Sequence, residues 1–210
     1  MLHVKADTMK ALLITASKND TRYYLKGIFV TRNNRGNALL TSTDGHRMLC
    51  VEHTLGDGQV LPEVDIIIPR DALKNALKIK TADGLVTIDS SGNGAALIAG
   101  VVRVPFVPFG ATYPDFRQVV PKMPIVPTQP TTFNATYLAD FSEVALLLGS
   151  SGKKHIQLIT VCSSDAVTAA LVTFGNSQAF GVLMPIRPSA IDGSIDTIDL
   201  AVLDLERTDP

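Results

Sequence analysis

The sequence predicts an α+β fold, with helices layered on antiparallel sheets, and three observations carry that prediction. A pattern of one strand, one helix and three more strands runs through the chain three times, at a period of roughly 65 residues. Each helical stretch places apolar residues at helical spacing, so each has one face to bury. Short apolar runs are separated by turn residues, the strongest being Asp44-Gly45.

In the first copy a strand is expected at Leu2–Lys5 and a helix from Asp7 to Ser17, with Met9, Leu12, Leu13 and Ala16 on its buried face. Strands follow at 23–31, 37–43 and 46–53. Asn33-Asn34-Arg35-Gly36 and Asp44-Gly45 are the turns between them; the Asp-Gly pair suits a two-residue hairpin whose central positions take positive φ. In the second copy a strand at Asp65–Ile68 ends at Pro69, which opens a helix reaching Ile79, because proline is tolerated in a first helical turn. Leu73, Ala76 and Leu77 form its apolar face. Strands are expected at 85–90, 95–99 and 101–107, with Ser91-Gly92-Asn93-Gly94 as a turn. The third copy has a strand at Thr131–Phe133, Asn134 as N-cap, and a helix to Leu148 that buries Leu138, Phe141, Ala145 and Leu148. Gly149-Ser150-Ser151-Gly152 stops it, and strands at 155–162, 167–174 and 179–186 complete the copy.

Composition bounds the function. With 210 residues, 46% apolar and 19% charged, the chain can bury one large core or two small ones. No apolar run approaches the roughly 18 residues of a membrane span, and MLHVKADTMK lacks the apolar centre of a secretory signal. No membrane association is expected. Cys50 and Cys162 lie in apolar strand-like runs and read as buried free thiols of a cytoplasmic protein. No Cys/His spacing suits a metal, so no metal and no cofactor is expected. The net charge of −1 conceals an asymmetry. Residues 1–188 carry 18 Lys/Arg against 14 Asp/Glu, whereas 189–210 carry Arg207 against six acidic residues. A mildly basic body is compatible with phosphate contact but does not require it.

Three separated segments carry a resemblance. Residues 22–53 read RYYLKGIFV…LLTSTDGHRMLCVEH, Tyr113–Arg117 read YPDFR, and 179–188 read AFGVLMPIRP. In this order they resemble the bacterial DNA polymerase III beta subunit, the sliding clamp. Residues 1–121 resemble its whole middle domain, as two half-modules at 1–57 and 58–121. Residues 131–188 resemble the second half of its last domain; the proline-rich 122–130 is the linker and 189–210 an acidic tail. The resemblance implies the DNA-clamp (processivity) fold, and with it an apolar groove that docks peptide motifs of DNA polymerases and other clamp-binding proteins. On that basis the groove residues are Arg22, Leu25, Thr43, Gly45, His46, Arg47, Met48, Pro114, Val119, Val182, Met184, Pro185, Ile186 and Arg187. Gln118 stands where the family usually has arginine. Leu, Val, Met and Pro would supply an apolar floor, and Arg and Thr a polar rim.

The resemblance also implies double-stranded DNA as a partner, met by basic side chains on the helices: Lys10, Lys18, Arg70, Lys74 and Lys78. Lys74 and Lys78 share a helix face. The family's first domain, and the first half of its last, have no counterpart, which leaves ring closure by the family's usual contact open. A lone third half-module leaves its sheet and helix uncovered, so a homo-oligomer, dimer or tetramer, is expected. In the tail, Val202-Leu203-Asp204-Leu205-Glu206 resembles the family's peptide ligand, Gln-Leu-Ser/Asp-Leu-Phe, at its middle positions. Two rival readings stand beside the clamp: a clamp-derived regulator or decoy that does not encircle DNA, and a small enzyme using Asp44 and His46. No motif places a Ser or Cys nucleophile near that pair, and no catalytic residue is assigned.

Overall fold

Alternating apolar runs and hairpin turns produce two antiparallel sheets, and the helices between them bury their stripes against both. The structure, a computed structural model, describes residues 1–90, 94–123, 125–127, 131–149, 158–175 and 177–187. The turn at 91–93, the stretch 150–157 with Lys153 and Lys154, part of the 122–130 linker and the acidic tail lie outside the described residues.

The first copy comprises β1 (Leu2–Lys5), α1 (Ala6–Thr15), β2 (Gly27–Arg32), β3 (Ala38–Thr43) and β4 (Arg47–His53). The second comprises β5 (Ile66–Pro69), α2 (Arg70–Leu77), β6 (Leu85–Asp89), β7 (Ala95–Ala99) and β8 (Val102–Phe106). The third comprises α3 (Ala135–Leu147), β9 (Thr160–Cys162), β10 (Ala170–Thr173) and β11 (Ala179–Leu183). The fold is α+β, with sheet orders β1-β6-β7-β8 and β5-β2-β3-β4-β11-β10-β9.

The first two copies exchange their first strands. β1 pairs with β6, setting Leu2 opposite Ile88 and Val4 opposite Val86. β5 pairs with β2, setting Ile66 opposite Val30 and Ile68 opposite Ile28. These residues are buried, as are Met9, Leu12, Leu73 and Ala76 of the helices, and they form one core. Each fully buried Leu or Ile contributes about 1.5–3 kcal/mol against exposure. α1 packs on strands of both sheets and against both other helices. Its C-terminal end is tied to β3 by buried hydroxyls: Thr15 Oγ1 meets Ser42 Oγ at 2.6 Å, and Ser42 Oγ donates to the Leu12 carbonyl at 2.8 Å.

The third copy joins the first edge to edge. β11 pairs with β4 in a register running from Ala179↔Val51 to Leu183↔Arg47. Gly181 lies within this joint because there is no room for a side chain: a Cβ there would fall 2.8 Å from the Phe141 ring and 3.2 Å from the Met48 carbonyl. Phe141 of α3 is fully buried and packs on Phe174, the ring centroids 5.7 Å apart. Asn134 caps α3 as expected, its side chain accepting from the Thr136 amide at 2.9 Å.

Four expectations need correction. Residues 23–26 form a 3₁₀ turn, not the start of a strand. The Leu25 amide donates to the Arg22 carbonyl, and the Leu25 carbonyl accepts from Ser17 at the end of α1, so both groups are diverted from a ladder. Thr131–Phe133 is no strand: the Thr132 carbonyl takes the Ile186 amide at 2.8 Å, and no strand lies on its other side among the described residues. The hairpin turn is shifted by one residue. Thr43↔Met48 pairing leaves Gly45-His46 as the central residues, with Gly45 at φ +90°. Cys162 is only half-buried, because its strand is a sheet edge among the described residues; both cysteines are free.

Candidate functional site

The β4–β11 joint creates a trough on the face where Met48 and Val182 stand opposite each other. Those two side chains and Phe116, all nearly inaccessible, form a small apolar cluster with Cys50. The ladder's geometry continues past β11, as the Met184 amide donates to the His46 carbonyl at 2.9 Å. One wall is Leu25, delivered by the 3₁₀ turn and packed with Ile67 and Tyr113. From Tyr113 the lining continues along the segment 113–119, which ends in a second 3₁₀ turn, Phe116–Val119, capped by Asp115. Together they enclose a cavity of about 150 Å³ with a mostly apolar lining.

The hairpin at the head of the trough is held rigidly. Asp44 Oδ1 accepts from the amides of His46 (2.9 Å) and Arg47 (3.0 Å), and Thr43 Oγ1 donates to the Arg47 carbonyl at 2.7 Å. The Arg47 side chain is buried, and each of its three nitrogens is engaged. It pairs with Asp44 Oδ2 at 3.1 Å and with Asp140 of α3, donates to the Ile14 carbonyl at 3.1 Å, and stacks 4.5 Å over the Tyr137 ring. Its guanidinium ties the hairpin to α1 and α3, and three of its five donors are already spent. Arg22 is different. It is half-exposed, clamped by Asp20 at 2.7 Å and 3.0 Å, and its guanidinium lies 3.0 Å from where a Gly45 Cβ would stand. The Arg22 hydrogen bonds hold the Asp20 carboxyl down at about 2. Arg22 is therefore the cation poised at the rim.

Every expected groove residue lines this cavity except Pro185, Ile186 and Arg187. Those three leave because the chain turns after Met184 to bond Thr132. Tyr113, Asp115 and Phe116 of the YPDFR segment line it as well, although of that segment only Pro114 was named among the groove residues. Tyr113 stacks flat on Phe29 at 4.7 Å, and burial pushes its phenol pKa up. Two aromatics straddling Pro114, in a chain with only 6% aromatic residues, were the available signal. Asp44 and His46 form no acid–base pair: the carboxylate is occupied by backbone amides and Arg47, and the exposed His46 ring lies nearly parallel to Tyr137, the centroids 6.1 Å apart.

Of the basic residues expected to face DNA, Lys10, Lys18, Lys74 and Lys78 are exposed. Lys10 pairs with Asp7 and Lys78 bonds Asn75, both within their own helices. Arg70 is buried instead. Its Nη1 donates to the carbonyls of Leu13 (2.5 Å) and Ala16 (2.8 Å), which carry the negative end of α1. Burial lowers its pKa. No helix among the described residues is long and apolar enough to cross a membrane, and these residues hold no cluster of three or more metal-type side chains.

Comparison with known proteins gives one consistent result. The family profile for the DNA polymerase III beta subunit, central domain, matches residues 3–115. A beta sliding clamp of Caulobacter vibrioides (strain NA1000 / CB15N) is 31% identical over 111 residues, covering 50% of this chain and 29% of that protein. The crystal structure of the DNA polymerase sliding clamp from Caulobacter crescentus superposes with a TM-score of 0.65 at 18% identity, over 89% of this chain and 65% of its own. That of the sliding clamp from Bartonella birtlesii bound to griselimycin gives 0.67 at 23% identity, over 89% and 66%. At such identities these two show a shared fold. The chain spans less than a third of the length of the curated relatives it matches.

Proposed function

From the premise that this chain belongs to the DNA polymerase III beta subunit family and carries that family's central domain at residues 3–115, we propose that it is a clamp-like processivity factor. It works by docking short peptide motifs of DNA polymerases and other replication and repair proteins, not by catalysis. The observation that carries this reading is the trough itself: an apolar floor split between two sheet segments, edged by Arg22 and built from three stretches far apart in sequence. A peptide groove needs a rigid apolar floor and a few polar groups that set direction. Arg47 supplies rigidity through its network, Arg22 a free edge of the guanidinium, and Met48 and Met184 adaptable surface.

The division into a complete domain at 1–121, a linker at 122–130 and a half-domain at 131–188 accords with the strand exchange of the first two copies. Lys10, Lys18, Lys74 and Lys78 are the side chains for duplex phosphates, in a weak and salt-dependent contact. The chain acts in the cytoplasm and assembles with copies of itself.

The test is binding of a fluorescent Gln-Leu-Asp-Leu-Phe peptide, read by anisotropy. Saturable binding is expected, weakened about tenfold or more by Val119→Asp or Met184→Asp, since each puts a charge into the apolar lining. Both positions are more than a third exposed, so the variants should keep the wild-type thermal midpoint. Equal peptide affinity in all three proteins overturns the reading.

A further inference from the structure

The trough and the acidic tail 189–210 are chemically complementary. The tail's acids are interleaved with large aliphatic side chains: Ile191-Asp192, Ile195-Asp196, Ile198-Asp199 and Leu203-Asp204 each set an aspartate directly after an isoleucine or leucine. Its densest apolar run is 200–205, broken only by Asp204. The trough offers the matching surface. Its floor is Met48, Phe116 and Val182, and Arg22 stands at its rim. Asp20 accepts from Arg22 Nε at 3.0 Å and from Nη2 at 2.7 Å, while Nη1 makes no hydrogen bond among the described residues. That nitrogen is open to a second carboxylate.

The tail also starts beside the trough. Met184 lines it, and the Ile186 amide fastens the chain to the Thr132 carbonyl two residues later. From Arg187, the last described residue before the tail, to Leu203 is sixteen residues, a reach of up to about 53 Å when extended. A tether of this length holds its far end at an effective concentration on the order of millimolar. A segment of weak intrinsic affinity would then keep the trough largely filled.

We infer that residues 202–205 occupy the trough of their own molecule and compete with incoming peptides. Leu203 and Leu205, two positions apart, fall on one side of an extended segment and enter the apolar lining. Asp204 meets the open edge of Arg22. The inference rests on the peptide-docking reading and adds to it a regulator carried on the same chain, since a partner gains the trough only by displacing the tail.

The test is anisotropy with the fluorescent Gln-Leu-Asp-Leu-Phe peptide, on the full chain and on the full-length variant Leu203→Ser/Leu205→Ser. The variant should bind about tenfold more tightly, the ratio expected when a millimolar tether presents a segment of roughly 100 μM affinity. Asp204→Asn should give a smaller gain that fades as salt rises. Ile191→Ser/Ile195→Ser should leave the affinity unchanged. Equal affinity of the full chain and the Leu203→Ser/Leu205→Ser variant overturns the inference and leaves peptide docking standing. A gain as large from Ile191→Ser/Ile195→Ser overturns the assignment to 202–205. If an equimolar Met184→Asp chain, whose tail is intact, abolishes the variant's gain, the tail acts between molecules and the inference is likewise overturned. Should no protein bind the peptide, the docking reading fails and takes this inference with it.

Discussion

The first copy meets its two neighbours in different ways. With the second it exchanges strands, β1 onto β6 and β5 onto β2, so each sheet is completed by the other copy. With the third it exchanges no strand: β4 lies against β11, α1 packs on α3, Phe141, Val144 and Phe174 extend the same core, and Arg47 fastens one end. Exchange closes a core. Abutment preserves sheet continuity but lets two surfaces diverge above it, and the trough lies in that divergence. The joint without strand exchange is thus the one that offers a binding surface.

Phe141→Ala is the strongest way to break this contrast. Emptying a fully buried aromatic site costs about 3–5 kcal/mol, and here the loss falls on the abutting joint. Urea denaturation should then show two transitions, the third copy releasing before the exchanged pair. A single transition would mean that the two joints are energetically one.

Gly181→Ala sharpens the same point with a smaller push. The added methyl meets the Phe141 ring at 2.8 Å, and overpacking of this kind costs about 1–3 kcal/mol. The loss should appear as a lower urea midpoint and as weaker peptide binding, since the floor of the trough shifts with β11.

The smallest effect is alkaline. Burial raises the Cys50 thiol from 9.0 to about 11 and pushes the Tyr113 phenol up as well. In the unfolded chain the thiol ionises near its ordinary value, so the stability held by keeping it neutral is full below pH 9 and is lost as pH rises towards 11. The thermal midpoint should fall over that window, and Cys50→Ala should remove the part that begins near pH 9. At neutral pH, Cys162 on the sheet edge should react with thiol reagents before Cys50.

Local chemistry made most of the fold legible. The apolar period of α1, α2 and α3, the Asn134 cap and the hairpin glycines act within a few residues, and the corresponding elements stand within one or two residues of where the sequence put them. What sequence reading missed depends on distant partners. Tyr23–Lys26 became a turn because the end of α1 takes the Leu25 carbonyl. Arg70 looked like a surface cation beside Lys74 and is buried because carbonyls 54 and 57 positions earlier receive it. Arg47 was expected among the groove residues and is there, but its anchorage to Asp140 lies 93 positions away. The aromatic wall at Tyr113 and Phe116 was visible as a motif but not as a lining, since only the β4–β11 pairing brings a floor beneath it.

Met48 and Val182 belong to different copies yet face each other across the seam. Any occupant of the trough must therefore touch both sides at once and act as a rivet through the joint. At a free concentration one hundred times its dissociation constant, an occupant that binds only the joined form resists separation by about 2.7 kcal/mol. Filling the site would strengthen the joint that lacks strand exchange.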